Sequence, residues 1–388
     1  MPNLTRYKFN RMEFSGSLGD LGTMLPLLIP LVVINGVNAT IALVLVGLFY
    51  VGAGLYYRIP VPVQPLKAVA IIAITGGLSA SVIAASGLIM GILMLFLGAT
   101  GLIDQVARVF SKPVIRGVQV ALGILLFLKG IQFIADPKLF VGNGAVATMG
   151  LPLNIIVGLV GLLIATLLLT NRKFPAAIVL ITFGLLVGLA LKTPDFTLGP
   201  QISTPQIPTV VDIQAAFVLL VLPQIPITLS NAVISTSDLS KKYFKGRGSG
   251  ASPRALSSSI GVANLAAGTL GGMPMCHGAG GMAAHYRFGA RTGGANLMIG
   301  GIFLAVALIF GSSAVSVLGL IPLSILGVLL VFTGVQMVKL AADVRVKRDF
   351  IVVSMIVGLA LVASMTIAFI AGIILYYLLK RWNLWLSR

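Results

Sequence analysis

From about residue 14 onward the chain alternates long apolar runs with short loops, and the loops carry nearly all of the basic residues. A helix needs about 20 apolar residues to cross a bilayer core, and the runs fit that length. They predict spans at about 14–34, 40–57, 59–75, 81–103, 113–133, 151–170 and 174–191. A stretch rich in proline, threonine and glutamine, 192–212, reads as an external linker. Further spans are expected at about 213–238 and 255–270, then a segment ending at Arg287, then 293–311, 315–339, 350–364 and 367–379. The first span contains Gly16, Gly19, Asp20, Gly22, Pro26 and Pro30, so a plain helix is not expected there.

Two runs are broken by proline and glycine. Arg58-Ile59-Pro60-Val61-Pro62-Val63-Gln64-Pro65-Leu66-Lys67-Ala68 reads as an extended prolyl segment that becomes a helix at Pro65. Pro274-Met275-Cys276-His277-Gly278-Ala279-Gly280-Gly281-Met282 reads the same way, with a helical run from Gly280 to Tyr286. Extended backbone at membrane depth is tolerated only where protein or a cavity satisfies it. Interrupted spans at corresponding positions of two halves point to a transporter binding site.

Composition agrees. Of 388 residues, 58% are hydrophobic and 9% charged, and the mean hydropathy is +1.07. This predicts an all-α integral membrane protein in contact with the lipid bilayer. A net charge of +18 would suggest a nucleic-acid partner in a soluble protein. Here it follows the positive-inside rule, and no nucleic acid is expected. With the N-terminus in the cytoplasm and fourteen spans, every Lys and Arg except Lys67, Lys129, Lys138 and Lys192 falls in an inner loop. Both termini are then cytoplasmic, in the cell (inner or plasma) membrane. Seven spans per half make the second half, 192–388, enter inverted relative to the first, 1–191. The helices of spans 3 and 10 then start at mid-depth and face each other. Two positive dipole ends converge on one cavity, which favours an anion.

The polar residues fall around that point. Lys67 is the one basic residue this topology buries, and a buried ionisable group in a span marks function. Its alternative role is a folding pair with Asp20. Gln64 precedes Pro65, where it could cap the helix, touch the ligand, or both. Asp20 and Thr23 lie in the glycine-rich part of span 1; Asp20 could pair with Lys67, cap a break, or carry a coupling proton. Gln224, Thr228, Asn231, Ser235 and Asp238 share one face of span 8 at helical spacing. Asp238 is a further coupling candidate, set against simple pairing with Lys241 or Lys242. His277 is either a cap residue or a proton relay. Gly278, Ala279 and Gly280 would let backbone N–H groups approach a ligand. His285, Arg287 and Arg291 are expected at the cytoplasmic rim. Single Cys276 excludes an internal disulfide, and two histidines leave little for a metal. No cofactor is expected. An enzyme using Cys276 and His277 as nucleophile and base is disfavoured, since neighbours at a helix start seldom aim at each other. No catalytic residues are therefore assigned.

Gly19-Asp20-Leu21-Gly22-Thr23, Pro62-Val63-Gln64-Pro65-Leu66-Lys67-Ala68, Cys276-His277-Gly278-Ala279-Gly280-Gly281 and Tyr286-Arg287-Phe288-Gly289-Ala290-Arg291 resemble the molybdate transporter family. That family is a branch of the SulP sulfate permease superfamily. The run 223–232 of span 8 fits it too. The resemblance implies a seven-plus-seven inverted repeat. Spans 1–4 and 8–11 would form a core and spans 5–7 and 12–14 a gate, with an oxyanion held between spans 3 and 10. No C-terminal soluble regulatory domain is expected. The expected activity is secondary active uptake of molybdate, with protons as co-substrate. The alternatives are a sulfate permease, a nucleobase permease and an anion channel. A homodimer is a candidate assembly.

Overall fold

The computed structural model describes residues 7–107, 109–141, 147–148, 151–168, 176–194, 196–201, 204 and 207–386. Arg6, Arg108, Arg172 and Lys173, which belong to expected cytoplasmic clusters, lie outside them, as do residues 142–146, 149 and 150 of the expected loop at 135–150.

The first span is two helices. α1 (Arg11–Ser17) and α2 (Leu21–Val33) meet at a bend of 42°. Asn10 caps α1 by accepting the Glu13 N–H. α3 (Ala39–Tyr57) is capped by Asn38 and ends at Arg58, whose φ of 57° turns the chain out of the helix. An extended stretch through β1 (Gln64–Pro65) then leads into α4 (Lys67–Gly76). The sequence predicts this helix from Pro65; it starts two residues later because Pro65 pairs with Met275 in a short antiparallel bridge.

α5 (Ala80–Thr100), short α6 (Ile103–Ala107) and α7 (Lys112–Ala135) follow. A small hairpin, β2 (Ala147–Thr148) and β3 (Leu151–Pro152), precedes α8 (Leu153–Leu168) and α9 (Ala176–Leu191). The second half opens with a long helical run. α10 (Val210–Ala215), α11 (Leu222–Ile227) and α12 (Thr236–Phe244) are joined by wider π-helical turns at Ala216–Val221 and Thr228–Ser235. Pro223 and Pro226 supply no N–H and crowd the carbonyls one turn back, which a wider turn relieves.

After a 3₁₀ turn, α13 (Pro253–Leu270) leads to β4 (Met275–Cys276), α14 (Ala279–Arg287) and α15 (Gly294–Phe310). The sequence predicts one span over 315–339. The chain forms α16 (Ala314–Leu318) and α17 (Leu323–Lys339) instead, because extended Pro322 caps the second helix. α18 (Lys347–Val362) and α19 (Met365–Leu386) close the chain around a tight turn.

Among the described residues, five helices are individually long and apolar enough to cross a bilayer, and the bent α1–α2 pair makes a sixth. Shorter apolar helices are α4, α8, α9 and α15. α5 packs along α13, α3 along α15, and α7 along α17. α18 also packs on α7, and α8 on α17. Glycines set the closest approaches. A Cβ at Gly130 would fall 2.5 Å from the Gly327 carbonyl oxygen, and one at Gly327 would fall 2.5 Å from the Gly130 carbonyl oxygen. Small residues let helices touch backbone to backbone where lipid offers no hydrophobic drive to associate.

Candidate functional site

The two extended segments meet in the middle of the molecule. Gln64 stands opposite Cys276, and Pro65 opposite Met275. The Leu66 N–H donates to the Pro274 carbonyl at 3.0 Å. Four prolines, Pro60, Pro62, Pro65 and Pro274, leave these segments short of donors, and buried backbone groups need partners. Two asparagines supply them. Asn264 Nδ2 donates to the Met275 carbonyl at 2.6 Å and its Oδ1 accepts the Met275 N–H at 2.9 Å. Asn296 Nδ2 donates to the Val61 carbonyl at 2.7 Å.

The two helix starts are treated differently. At α4, Gln224 Oε1 accepts the N–H groups of Ala68 at 2.7 Å and Val69 at 3.3 Å. Gln224 Nε2 in turn donates to Thr228 Oγ1 at 2.8 Å. At α14, Gly278 is the cap residue and no side chain accepts from the first turn. Gln64 and Asp20 press on this end instead. A Cβ at Gly281 would fall 2.6 Å from Gln64 Nε2 and 2.7 Å from Asp20 Oδ1. Only glycine admits that approach.

Asp20 sits at the α1–α2 break and is 1% exposed. Its Oδ1 accepts from Gln64 Nε2 at 2.6 Å, while Asp20 Oδ2 and Gln64 Oε1 have no partner. Asp20 therefore bonds to Gln64, not to Lys67, and Gln64 reaches span 1 instead of capping its own helix. Lys67 is half-buried and, among the described residues, makes no hydrogen bond or ion pair. It lines a cavity of about 300 Å³ with Gly22 and Thr23 of α2, Gly280 of α14, and Phe332, Thr333 and Gln336 of α17. Leu168 and Ala177 close it from α8 and α9. In front of Gly280 the space is open, with nothing within 4 Å of an added Cβ. The cavity thus joins a cation with no partner among the described residues, the Thr23 hydroxyl, an amide and an uncapped helix start, while the Thr333 hydroxyl already donates to the Leu329 carbonyl at 2.8 Å. That donor set suits an oxyanion.

Thr333 and Gln336 were not singled out from the sequence. Their signal was available, as polar residues three apart in an otherwise apolar run.

Other expected residues lie elsewhere. The π turns rotate the predicted stripe: Gln224 and Thr228 are fully buried, Asn231 is half-buried beside Gly278, and Ser235 and Asp238 are exposed. No hydrogen bond or ion pair ties Asp238 to the cavity among the described residues. Ala279 is half-buried at the start of α14. His277 is fully buried but turned away from the cavity. Its Nδ1 faces the Pro62 carbonyl at 2.8 Å and its Nε2 the Ser259 hydroxyl at 2.9 Å, while Phe49 stacks on the ring. The sulfur of buried Cys276 points to the Pro65 carbonyl at 3.7 Å, so it and His277 form no nucleophile–base pair.

His285 is a correction: it is fully buried, not at a rim, because α14 lays it against the broken end of α1. Arg287 is exposed, and Arg291 stacks 3.7 Å over the Tyr286 ring. Glu13, which sequence reasoning passed over, is 2% exposed and accepts the N–H groups of Arg291 and Thr292.

Comparison with known proteins bears out the resemblance. The family described as "Molybdate transporter of MFS superfamily" matches residues 12–126 and 216–337. Molybdate transporter 2 of Arabidopsis thaliana is 31% identical over 407 residues, covering 95% of this chain and 87% of its own length. Molybdate transporter 1 of Chlamydomonas reinhardtii is 29% identical, covering 87% and 85%. The fold resembles that of the murine solute carrier 26 family member A9 anion transporter in its inward-facing state, with a TM-score of 0.70 at 16% identity. That match covers 97% of this chain and 70% of the other. The transmembrane domain of a cyanobacterial bicarbonate transporter, BicA, gives 0.66 at 14% identity, covering 96% of this chain and 100% of its own. The fold is therefore that of an all-α, multi-pass membrane transporter, and these relatives are transporters, not enzymes. The chain belongs to the molybdate transporter family.

Proposed function

We propose that this protein moves a tetrahedral oxyanion, molybdate first, across the cell membrane by alternating access, with protons as the co-transported ion. One observation carries the reading. The cavity brings Lys67, unpaired among the described residues, the uncapped start of α14 at Gly280, the Thr23 hydroxyl and the Gln336 amide to one place in a chain of this family. Lys67 and the α14 dipole would attract the charge, and the Thr23 hydroxyl and Gln336 would hold oxygens.

The fourteen-span, inverted-repeat organisation fits the packing. Matching each of spans 1–7 to its counterpart in 8–14 exchanges the α5–α13 pair with the α15–α3 pair, and the α18–α7 pair with the α8–α17 pair. It returns α7–α17 and β1–β4 to themselves. On this reading Thr23, Lys67 and Gly280 belong to the core (spans 1–4 and 8–11). Ala177, Thr333 and Gln336 belong to the gate (spans 5–7 and 12–14). Movement of core against gate would then open the cavity to alternate sides. The basic loops support a cytoplasmic position for both termini.

Coupling follows from charge. An inside-negative potential opposes entry of each negative charge by about 2.3 kcal/mol per 100 mV, and twice that for a dianion. Asp20 is the candidate carrier. Deprotonated, it offsets Lys67; protonated, it leaves the site a net cation that fits a dianion. The test is uptake of radiolabelled molybdate into proteoliposomes, with sulfate as competitor and an inward proton gradient imposed. Gradient-driven uptake that excess sulfate does not block supports the reading. Equal competition by sulfate would make the substrate sulfate-type, and no uptake of either would overturn it.

A further inference from the structure

A buried seam runs where α1 and the α1–α2 break lie along α14. A Cβ at Gly19 would fall 2.9 Å from the Ala284 carbonyl oxygen, and one at Gly281 would fall 2.7 Å from Asp20 Oδ1. Three titratable side chains line this seam and are almost inaccessible: Glu13 at 2%, His285 at 0% and Asp20 at 1% exposure. His285 contacts Gly16, with Glu13 three residues before that contact and Asp20 four residues after it. Glu13 therefore lies about one helical turn before the His285 contact on α1, and Asp20 lies past it, at the break. Ionisable side chains at membrane depth are costly and mark ion pathways.

The break in α1 sets the state of His285. Because the helix stops at Ser17, the Gly16 carbonyl is left to the Gly19 N–H at 3.1 Å and to His285 Nδ1 at 2.7 Å. A carbonyl oxygen only accepts, so Nδ1 carries the hydrogen. In the neutral ring Nε2 is then a bare acceptor. It is buried and, among the described residues, has no hydrogen-bond partner, and neither has Asp20 Oδ2. His277 differs: both of its ring nitrogens are engaged.

We propose that His285 is the second station for the proton that enters on Asp20, so that proton and oxyanion leave by different routes. The inference rests on the proton-coupled reading above. Asp20 and His285 make no direct contact, so a water between them relays the proton: the O–H bond at Asp20 Oδ2 breaks as the water takes that proton, and the water gives one of its own to form the N–H bond at His285 Nε2, leaving a carboxylate, an imidazolium and the water restored. The imidazolium then releases that proton from Nε2 to the cytoplasmic solution. Glu13, held by the Arg291 and Thr292 N–H groups, stabilises the cation from the other side. The other titratable or charged groups on the surrounding elements are Arg11 of α1, Tyr50 of α3, which meets the ring edge-on at 6.3 Å, Lys67 of α4, beyond Asp20, and Tyr286 beside the ring on α14. α12, packed on α14, adds Asp238, Lys241, Lys242 and Tyr243, and Arg287 and Arg291 lie past the ring on its own strand of chain. None of these, Lys67 apart, lines the oxyanion cavity, and neither does His285.

The test compares wild type, His285→Asn and Glu13→Gln in proteoliposomes. Asparagine keeps a donor for the Gly16 carbonyl and removes Nε2; glutamine keeps acceptor geometry and removes the charge. Two rates are read: exchange of labelled for unlabelled molybdate at equal pH, and accumulation under an inward proton gradient. In H285N exchange should stay within about twofold of wild type while accumulation falls about tenfold or more, as loss of a proton station requires. In E13Q accumulation should fall less, with exchange intact. Wild-type accumulation in H285N overturns the proposal. So does equal loss of both rates, which would make His285 only a cap. Should H285N fail to fold, E13Q decides, and undiminished accumulation there overturns it. A wild type that exchanges molybdate but ignores the proton gradient overturns the coupled reading, and this inference with it. A wild type that does neither fails at the substrate.

Discussion

Gln224 Oε1 accepts the Ala68 N–H at 2.7 Å, so a side chain 156 residues away occupies the start of α4. One of the two helix starts that the sequence offers to an anion is thus already filled. Removing the amide should leave the Ala68 and Val69 N–H groups buried and unpaired. Gln224→Ala is expected to lower stability by about 1–3 kcal/mol, read as thermal unfolding in detergent. Gln224→Glu keeps an acceptor but adds a negative charge near Lys67. It should retain the fold and weaken molybdate binding at neutral pH; equal affinity would show that this charge is not felt in the cavity.

Lys67 is the unpaired cation of the cavity. Lys67→Ala should weaken molybdate binding by about 100-fold or more, since a partly desolvated charge interaction is worth several kcal/mol. Calorimetric titration checks this. Undiminished affinity would remove Lys67 from the site.

Two neighbouring glycines should behave differently. At Gly281 a methyl group meets Gln64 and Asp20, so Gly281→Ala should cost about 1–3 kcal/mol by overpacking and should abolish transport. At Gly280 the added methyl meets open space. Gly280→Ala should therefore fold as well as wild type yet bind molybdate more weakly, because the methyl enters the cavity. Comparing unfolding temperature with affinity separates the two effects.

His277 is expected to act in the fold alone. His277→Gln breaks its bonds to Pro62 and Ser259 and its stacking on Phe49. A loss of about 1–3 kcal/mol is expected from unpaired buried groups. The ratio of proton-driven accumulation to exchange should not change; a lower ratio would return His277 to the coupling machinery.

Much of this architecture was legible in the sequence, because apolar length and proline–glycine punctuation are local signals. α3, α5, α7 and α13 fall within a few residues of their predicted spans, and the prolyl stretch before Lys67 is extended as its composition demands. What was hidden depends on pairing across the chain. Pro65 reads as a helix start until Met275 takes it as a strand partner. The stripe from Gln224 to Asp238 assumes a uniform helical period, which the π turns break. His277, just before the glycines, reads as either a cap residue or a proton relay. Only the fold shows that Ser259 and Pro62 satisfy it, while the broken end of α1 leaves His285 with a bare nitrogen.

The bridge between β1 and β4 has a mechanical consequence. The two extended segments are laced by main-chain hydrogen bonds and by Asn264, and Gln64 continues the link to Asp20. The starts of α4 and α14 are therefore one stiff body, not a pair of jaws. An anion cannot be gripped by one and released by the other. On the proposed alternating-access reading, selectivity would be set once, by the same atoms, for a substrate arriving from either face, and only the walls around that body would need to change for release.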